Sequence, residues 1–411
     1  MKRVFFGWYI LAAALVLATY NGAMFVYGFT TFVTPIAATF GWSYAQVSLG
    51  SSIRGMETGT LDPFIGMAAD RWPARWLILI GICMFALGAI LISRATSLAM
   101  FYIGFLVVGL GSATSVSMVP QTVIARWFKK NIGKASGILA MGVAIGGLFA
   151  PLLVKAIDAY GWQNTLIYLA VGALILGIPL SFLFRTRPED YGLLPDGKAL
   201  DDVEVSNTYD VSLGVKEALK TPAFWCIGIA VMLQMTAMNA MAIHMMPYLT
   251  SLGMERSSAA VAVTIFAMAS LPSRIIYGIL ADIFRKKYVM ALSLGLITAG
   301  LVIFGLIDGS SFALVVLFAI IYGMGAAGAS PLRAPVIREY FGTKKFGTIF
   351  GLTASFTMLG SVAGAPIAGW VYDTRGVYDP IWFIYAGATT VGMILLLMMP
   401  LPSRKLSPAM S

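Results

Sequence analysis

The chain has 411 residues, 59% of them hydrophobic and only 11% charged, with a mean hydropathy of +0.85. Its apolar residues fall in blocks of about 20 or more, longer than a soluble domain buries, so an integral membrane protein is expected. Two distant cysteines and a single histidine exclude a disulfide framework and a metal cluster, and the +10 formal charge loses its nucleic-acid reading once the charges are placed.

The apolar runs predict twelve membrane-spanning helices, at 7–36, 44–69, 76–94, 98–125, 132–158, 163–184, 222–251, 257–282, 288–307, 311–339, 346–372 and 379–401. The opening "MKRVFFGWYILAAALVLATYNGA" has the basic start and apolar stretch of a signal peptide. It continues to Val33 without a small-x-small cleavage site, so it is expected to stay as the first helix, with Tyr20, Asn21 and Tyr27 as its polar residues. The second helix, "SSIRGMETGTLDPFIGMAAD", groups Arg54, Glu57 and Asp62 on one face at about 100° per residue. The set is either a rigid, partly self-neutralised network or a proton-coupling or gating group. Burial favours a neutral acid, and a nearby arginine favours the carboxylate. Asp70, Arg71 and Arg75 follow at the end of that helix, and Ser117 and Gln121 lie on the fourth.

Residues 185–221, "RTRPEDYGLLPDGKALDDVEVSNTYDVSLGVKEALKT", are polar and acid-rich. They are expected to be a partly disordered linker, with an amphipathic piece near 211–220. Domains are therefore expected at 1–184 and 222–411 around a linker at 185–221. The seventh helix carries Gln234, Asn239 and His244; His244, beside Pro247 at the helix end, is expected to be a satisfied end-of-helix histidine rather than a proton carrier. Arg274 is the sharpest signal. It lies eight residues before Asp282 in the eighth helix, about 12 Å inside at ~1.5 Å per residue and so near the midplane of a bilayer core about 30 Å thick. A cation there marks a functional site by default. Its guanidinium can grip a carboxylate with two parallel hydrogen bonds, or it can form a structural ion pair. A lone cation suits a monoanion better than a dianion, whose second charge would stay buried without a partner. Asp282 and Arg285 close that helix, Arg333 lies in the tenth, and Phe356 in the eleventh is a candidate apolar wall.

Of 28 Lys and Arg, 21 fall on the side that also holds both termini, 4 on the other side and 3 inside helices. That asymmetry places both termini in the cytoplasm and makes the basic excess a topology signal. The chain also repeats itself. "GMAADRWPAR" (66–75) returns as "GILADIFRKK" (278–287), and "VPQTVIARWFKKNIGKASGIL" (119–139) returns as "RAPVIREYFGTKKFGTIFGL" (333–352). By this repeat Asp62 is the counterpart of Arg274.

Six plus six helices with a duplicated glycine–x–x–x–aspartate–basic loop resemble the major facilitator superfamily over essentially the whole chain. Gly66, Ala69, Asp70, Arg71 and Arg75 carry the first copy; Gly278, Leu280, Ala281, Asp282, Arg285 and Lys286 carry the second. "YGFTTFVTPIAATFGWSYAQVS", "HMMPYLTSLG" and "RTRPEDYGLLPDG" resemble the oxalate:formate antiporter and monocarboxylate transporter branch, and Arg274 matches the arginine with which those families hold a carboxylate. Helix 11 lacks the second cation of oxalate exchangers, and Ser270 stands where animal proton–lactate carriers have an acid.

The resemblance implies an all-α membrane fold of two pseudo-symmetric six-helix bundles. It further implies a plasma-membrane or inner-membrane carrier, expected to be monomeric and without a cofactor or metal. Such a carrier moves a small organic anion, a monocarboxylate, by alternating access with a proton or a counter-anion. Arg274, Asn21, Tyr27, Ser117, Gln121, Asn239 and Phe356 would line the substrate site. Asp62, with Glu57 and Arg54, would couple the proton, and Asp70, Arg71, Arg75, Asp282 and Arg285 would gate the cytoplasmic mouth. Rival readings are a proton-driven drug-efflux antiporter and a transporter-like membrane receptor. An enzyme is not expected, since no nucleophile–base or metal spacing occurs, and no phosphate-binding loop of the G-x-x-x-x-G-K-[ST] type is present.

Overall fold

The structure, a computed structural model, describes residues 5–26, 28–197, 213–308 and 311–400; at 44–45, 48, 51–52, 54–58, 197, 256–257 and 260 it describes the backbone alone. Among the described residues, ten helical stretches are long and apolar enough to cross a bilayer. One of these, Ile132–Ser181, is 50 residues long and makes two passes, because Gly161 breaks it at φ 77° and ψ 157°. Only glycine visits that conformation cheaply. The carbonyls freed by the break are taken by side chains: Thr165 Oγ1 donates to Gly161 and Ala156, and Asn164 donates to Tyr160. The remaining pass is the helix Tyr44–Arg71, whose charges lower its hydropathy. Its 28 residues span about 42 Å at ~1.5 Å each, more than the bilayer core requires. The fold is thus the expected twelve-helix, all-α membrane architecture.

In chain order, α1 (Gly7–Asn21) is followed by a π turn (Gly22–Val26) and α2 (Phe29–Phe40). Next come α3 (Tyr44–Arg71), α4 (Ala74–Ser93), α5 (Leu98–Ser112), a second π turn (Ala113–Met118), α6 (Val119–Trp127), α7 (Ile132–Gly146) and α8 (Ala150–Ser181). After the linker come α9 (Val215–Lys220), α10 (Pro222–Ser251), α11 (Arg256–Ile283), α12 (Lys286–Gly305), α13 (Phe312–Ala327), α14 (Ala329–Phe341), α15 (Phe346–Arg375) and α16 (Asp379–Met398). Local signals set several of these ends. Ser43 and Gln46 form a reciprocal capping box on α3, and Thr221 caps α10 ahead of Pro222. At the other end of the chain, buried Lys287 takes the final carbonyls of α16, donating to Leu397 (3.2 Å) and Met399 (2.7 Å).

The chain packs as two units, Met1–Thr208 with Thr343–Leu352, and Tyr209–Gly342 with Thr353–Ser411. In the first, α4 packs on α5 and α8, and α1 on α7. Its core is a phenylalanine cluster of Phe25, Phe29, Phe85, Phe101 and Phe105, with contacting ring centroids 4.9 to 5.8 Å apart. In the second, α12 packs on α13 and α16, and α10 on α16, around Tyr248, Phe304, Phe318 and Trp382 at 4.2 to 5.6 Å. The pairing of α4 with α5 recurs as α12 with α13, as the sequence repeat requires. Large apolar residues such as Phe64, Ile175, Met268 and Trp370 are exposed, which suits helices whose outer faces meet lipid tails.

Residues 185–197 of the linker belong to the first unit, and α9, a helix of 6 residues, lies within the expected amphipathic piece. The part at 198–212 lies outside the described residues.

Candidate functional site

Asp70 is a fully engaged carboxylate. It ends α3, and its side chain is 1% exposed. Oδ1 accepts from Arg126 Nη2 (3.1 Å) and from the Gly347 amide (3.0 Å). Oδ2 accepts from the Thr348 amide (2.9 Å) and the Thr348 hydroxyl (2.8 Å). An ionised carboxylate has about four lone-pair sites, and all four are used here. Two of the donors are orphan amides of the first turn of α15, so the carboxylate caps that helix where its dipole is positive. Backbone contact makes this possible. A side chain at Gly66 would overlap the Gly347 carbonyl, one at Gly347 would lie 2.5 Å from the Gly66 carbonyl oxygen, and one at Gly351 would lie 2.5 Å from that of Asp62. Residues 62, 66 and 70 are one helical stripe at i, i+4 spacing, and 347 and 351 are another. Asp62, 2% exposed, therefore sits on the same α3–α15 seam as the Asp70 latch, two turns further along.

Of the other expected gate residues, Arg71 and Arg75 are exposed, and Arg75 lies 5.4 Å over the Trp76 ring. Asp282 ends α11 half-buried, and Arg285 is exposed at the start of α12. Beside them Lys286 pairs with Glu339 at 4.0 Å. Arg126, Gly347 and Thr348 did not stand out in the sequence. Arg126 reads there as one more topology charge, although it lies inside the repeated stretch, where Glu339 stands at the equivalent position of the second copy.

Arg274 lies on the protein-facing stripe of α11. Its neighbours one turn away, Ser270, Tyr277 and Gly278, are buried, as is Ala281 two turns on, whereas Met268 and Ile276 on the far side are exposed. Arg274 itself is half-buried. Ser270 and Ser273 turn their hydroxyls back onto the helix, to Ala267 and Ala269, and Pro272 interrupts the backbone ladder beside them. In the same unit Arg333 on α14 donates to Thr357 Oγ1 on α15 at 2.9 Å, so it faces a neighbouring helix. Phe356 packs on the first turns of α10, 5.9 Å from both Phe224 and Trp225. Asn239 is half-buried on α10.

Several polar candidates tie helices together. Asn21 Nδ2 donates to Ser112 Oγ (2.8 Å), and each of those residues immediately precedes a π turn. Gln121 donates to Ser136 (2.8 Å), Tyr20 to the Leu169 carbonyl and Gln234 to Ser293 (3.3 Å). Ser117, within the second π turn, is exposed. Segments of π helix often mark functional positions, and nothing in residue periodicity announced these. Tyr27 and the side chains of Arg54 and Glu57 lie outside the described residues. His244 has both ring nitrogens engaged: Nε2 donates to the Ala365 carbonyl (3.0 Å), which leaves Nδ1 to accept from the Tyr378 hydroxyl (3.1 Å). Burial first, then nearby Tyr372 and Asp373, pushes that hydroxyl above its ordinary range, which keeps it a donor.

Three comparisons bear on this geometry. The family model described as Major Facilitator Superfamily matches residues 11–263 and 235–410. The chain is 28% identical over 399 residues to monocarboxylate transporter 13 of Rattus norvegicus, covering 93% of this chain and 86% of that protein. It is 22% identical over 370 residues to the oxalate:formate antiporter of Oxalobacter formigenes, covering 88% and 85%. Among solved structures, the E. coli fucose:proton symporter aligns with a TM-score of 0.71 at 14% identity over 98% of both chains, a likeness of fold.

Proposed function

Because the chain belongs to the Major Facilitator Superfamily and is a membrane transporter, we propose that it carries a small organic anion, a monocarboxylate, by alternating access, through proton symport or anion exchange. The observation that carries this reading is Arg274, a permanent cation on the buried stripe of a membrane helix. A charge at that depth costs roughly 2.5–3.5 kcal/mol on insertion scales, and a planar guanidinium repays it best by gripping a carboxylate. The relatives named for monocarboxylates and for oxalate and formate support the same substrate class. Asn239 and Phe356 are the proposed neighbours of the anion in the second unit. Asn21, Ser117 and Gln121 are proposed to shape the substrate path through the first, as is Tyr27.

Asp62 is the proposed coupling acid. Its backbone carbonyl meets Gly351 on the α3–α15 seam, and a parting of these helices is proposed to change the surroundings of its carboxyl. Arg54 and Glu57 belong to the same helix and are proposed to balance its charge. The Asp70 latch, with Arg71, Arg75, Asp282 and Arg285 around the duplicated loop, is the proposed inner gate, closed when Asp70 caps α15. The basic side is proposed to be cytoplasmic, with both termini there, in a cell's inner or plasma membrane. The proposed domains are bundles at 1–184 and 222–411 joined at 185–221, acting as a monomer.

Counterflow into liposomes, screened over labelled mono- and dicarboxylates, tests the reading. Monocarboxylates should exchange and dicarboxylates lag. Counterflow of cationic drugs with none of the carboxylates would replace this reading by efflux.

A further inference from the structure

The stretch "RTRPEDYGLLPDG" is one that the transport chemistry leaves unused, yet its residues hold an unusual set of bonds within the first unit. The Arg185 guanidinium lies between two aromatic rings, 3.9 Å from the centroid of Phe6 and 4.1 Å from that of Tyr191. The Arg185 carbonyl accepts the indole N–H of Trp127 at 2.8 Å. Thr186 Oγ1 accepts the amide of Ala74, the first residue of α4, at 2.9 Å. After a short turn, Asp196 Oδ2 accepts the amides of Lys129 (3.1 Å) and Lys130 (2.7 Å). Asp196 holds a left-handed backbone at φ 64° to reach them.

The hydrogen bonds of this set end next to the latch, at Ala74, Trp127, Lys129 and Lys130. Arg126, the buried cation on Asp70, stands one residue before Trp127 and three before Lys129. The segment thus grips the chain immediately after Arg126 at two points, Trp127 and the 129–130 turn. Thr186 fixes the start of α4, four residues after Asp70. Arg187 and Glu189 of the same segment lie within electrostatic reach of the Arg126 guanidinium. Arg126 is 6% exposed, so a small displacement would remove it from Asp70 without an alternative partner in water.

We propose that the 185–196 segment is a clasp that positions Arg126, and that Asp196 and Trp127 set the strength of the Asp70 latch through it. The proposal rests on the reading of that latch as the inner gate only for its role in transport; the physical coupling stands apart from it. The test is hydrogen–deuterium exchange on the full-length chain in lipid nanodiscs, following the amides at 347–348 and at 128–131. Asp196→Ala and Trp127→Phe should each speed exchange at 347–348 by roughly fivefold, the scale of a lost helix-cap acceptor. Asp196→Asn, which keeps an acceptor oxygen, should restore most of the protection. In an Asp70→Asn background, where those amides have already lost their carboxylate, neither Asp196→Ala nor Trp127→Phe should add anything. Trp127→Phe keeps the aromatic packing and serves if Asp196→Ala does not fold. Faster exchange confined to 128–131, or an equal increment in the Asp70→Asn background, would overturn the proposal. If the coupling holds but Asp70→Asn leaves sidedness of access unchanged, the gate reading fails and the clasp stands.

Discussion

Asp70 shows how a single carboxylate can hold a helix end. Its four acceptor sites meet four donors, one of them a buried guanidinium. Asp70→Asn places an NH2 among those donors and leaves Arg126 buried without its counter-charge. Removing one partner of a buried pair costs about 3–5 kcal/mol, enough to reverse a two-state preference of ordinary size. A cysteine introduced at exposed Ser117, after replacement of Cys83 and Cys226, should then be alkylated faster from the basic side of sealed vesicles. An unchanged rate from that side would count against the gate. Thr348→Val removes only the hydroxyl donor, a change of about 1 kcal/mol, and should give a partial version of the same shift. His244, by contrast, is spoken for at both nitrogens, the satisfied helix-end histidine that its place beside Pro247 suggests.

Among the elements, the α3–α15 seam carries the most information. Gly66 reads in the sequence as the first letter of a loop motif; in three dimensions it is where two helix backbones touch. Gly66→Ala would drive a methyl into the Gly347 carbonyl and should therefore mimic Asp70→Asn in the alkylation assay while leaving every charge in place. Wild-type labelling by Gly66→Ala would mean that the helices can part without breaking the latch. Gly161→Ala acts differently. Its φ of 77° and ψ of 157° strain an alanine by about 1–3 kcal/mol, so thermal stability in detergent should fall with no change in sidedness. Helix existence and the repeat were legible because apolar length and the Gly–Asp motif are local signals. The π turns after Asn21 and Ser112 were not, since a one-residue change in helical register leaves composition and period nearly intact. The latch partners Arg126 and Thr348 were hidden for another reason: their meaning lies in contacts with Asp70 that span 56 and 278 positions of the chain.

At the scale of the whole molecule, the duplication explains how one design yields two chemically different halves. Equivalent positions of the repeat hold Asp62 in one copy and Arg274 in the other, an acid on the seam with α15 and a cation on the buried stripe of α11. Proton symport requires the acid to be neutral in one state and ionised in another. Asp62→Asn should accordingly abolish accumulation driven by an imposed pH gradient in liposomes while sparing part of the exchange at equal pH. Accumulation like wild type would return Asp62 to a structural role. The claim beneath all of this is that Arg274 holds the carboxylate of the cargo, and uptake of a labelled monocarboxylate by proteoliposomes bearing Arg274→Lys tests it most directly. A lysine keeps the charge and loses the two-pronged geometry, so the account predicts loss of most transport, on the order of tenfold or more in kcat/KM for a contribution of about 1.4 kcal/mol or above. Transport at wild-type rate and apparent affinity by Arg274→Lys would contradict it.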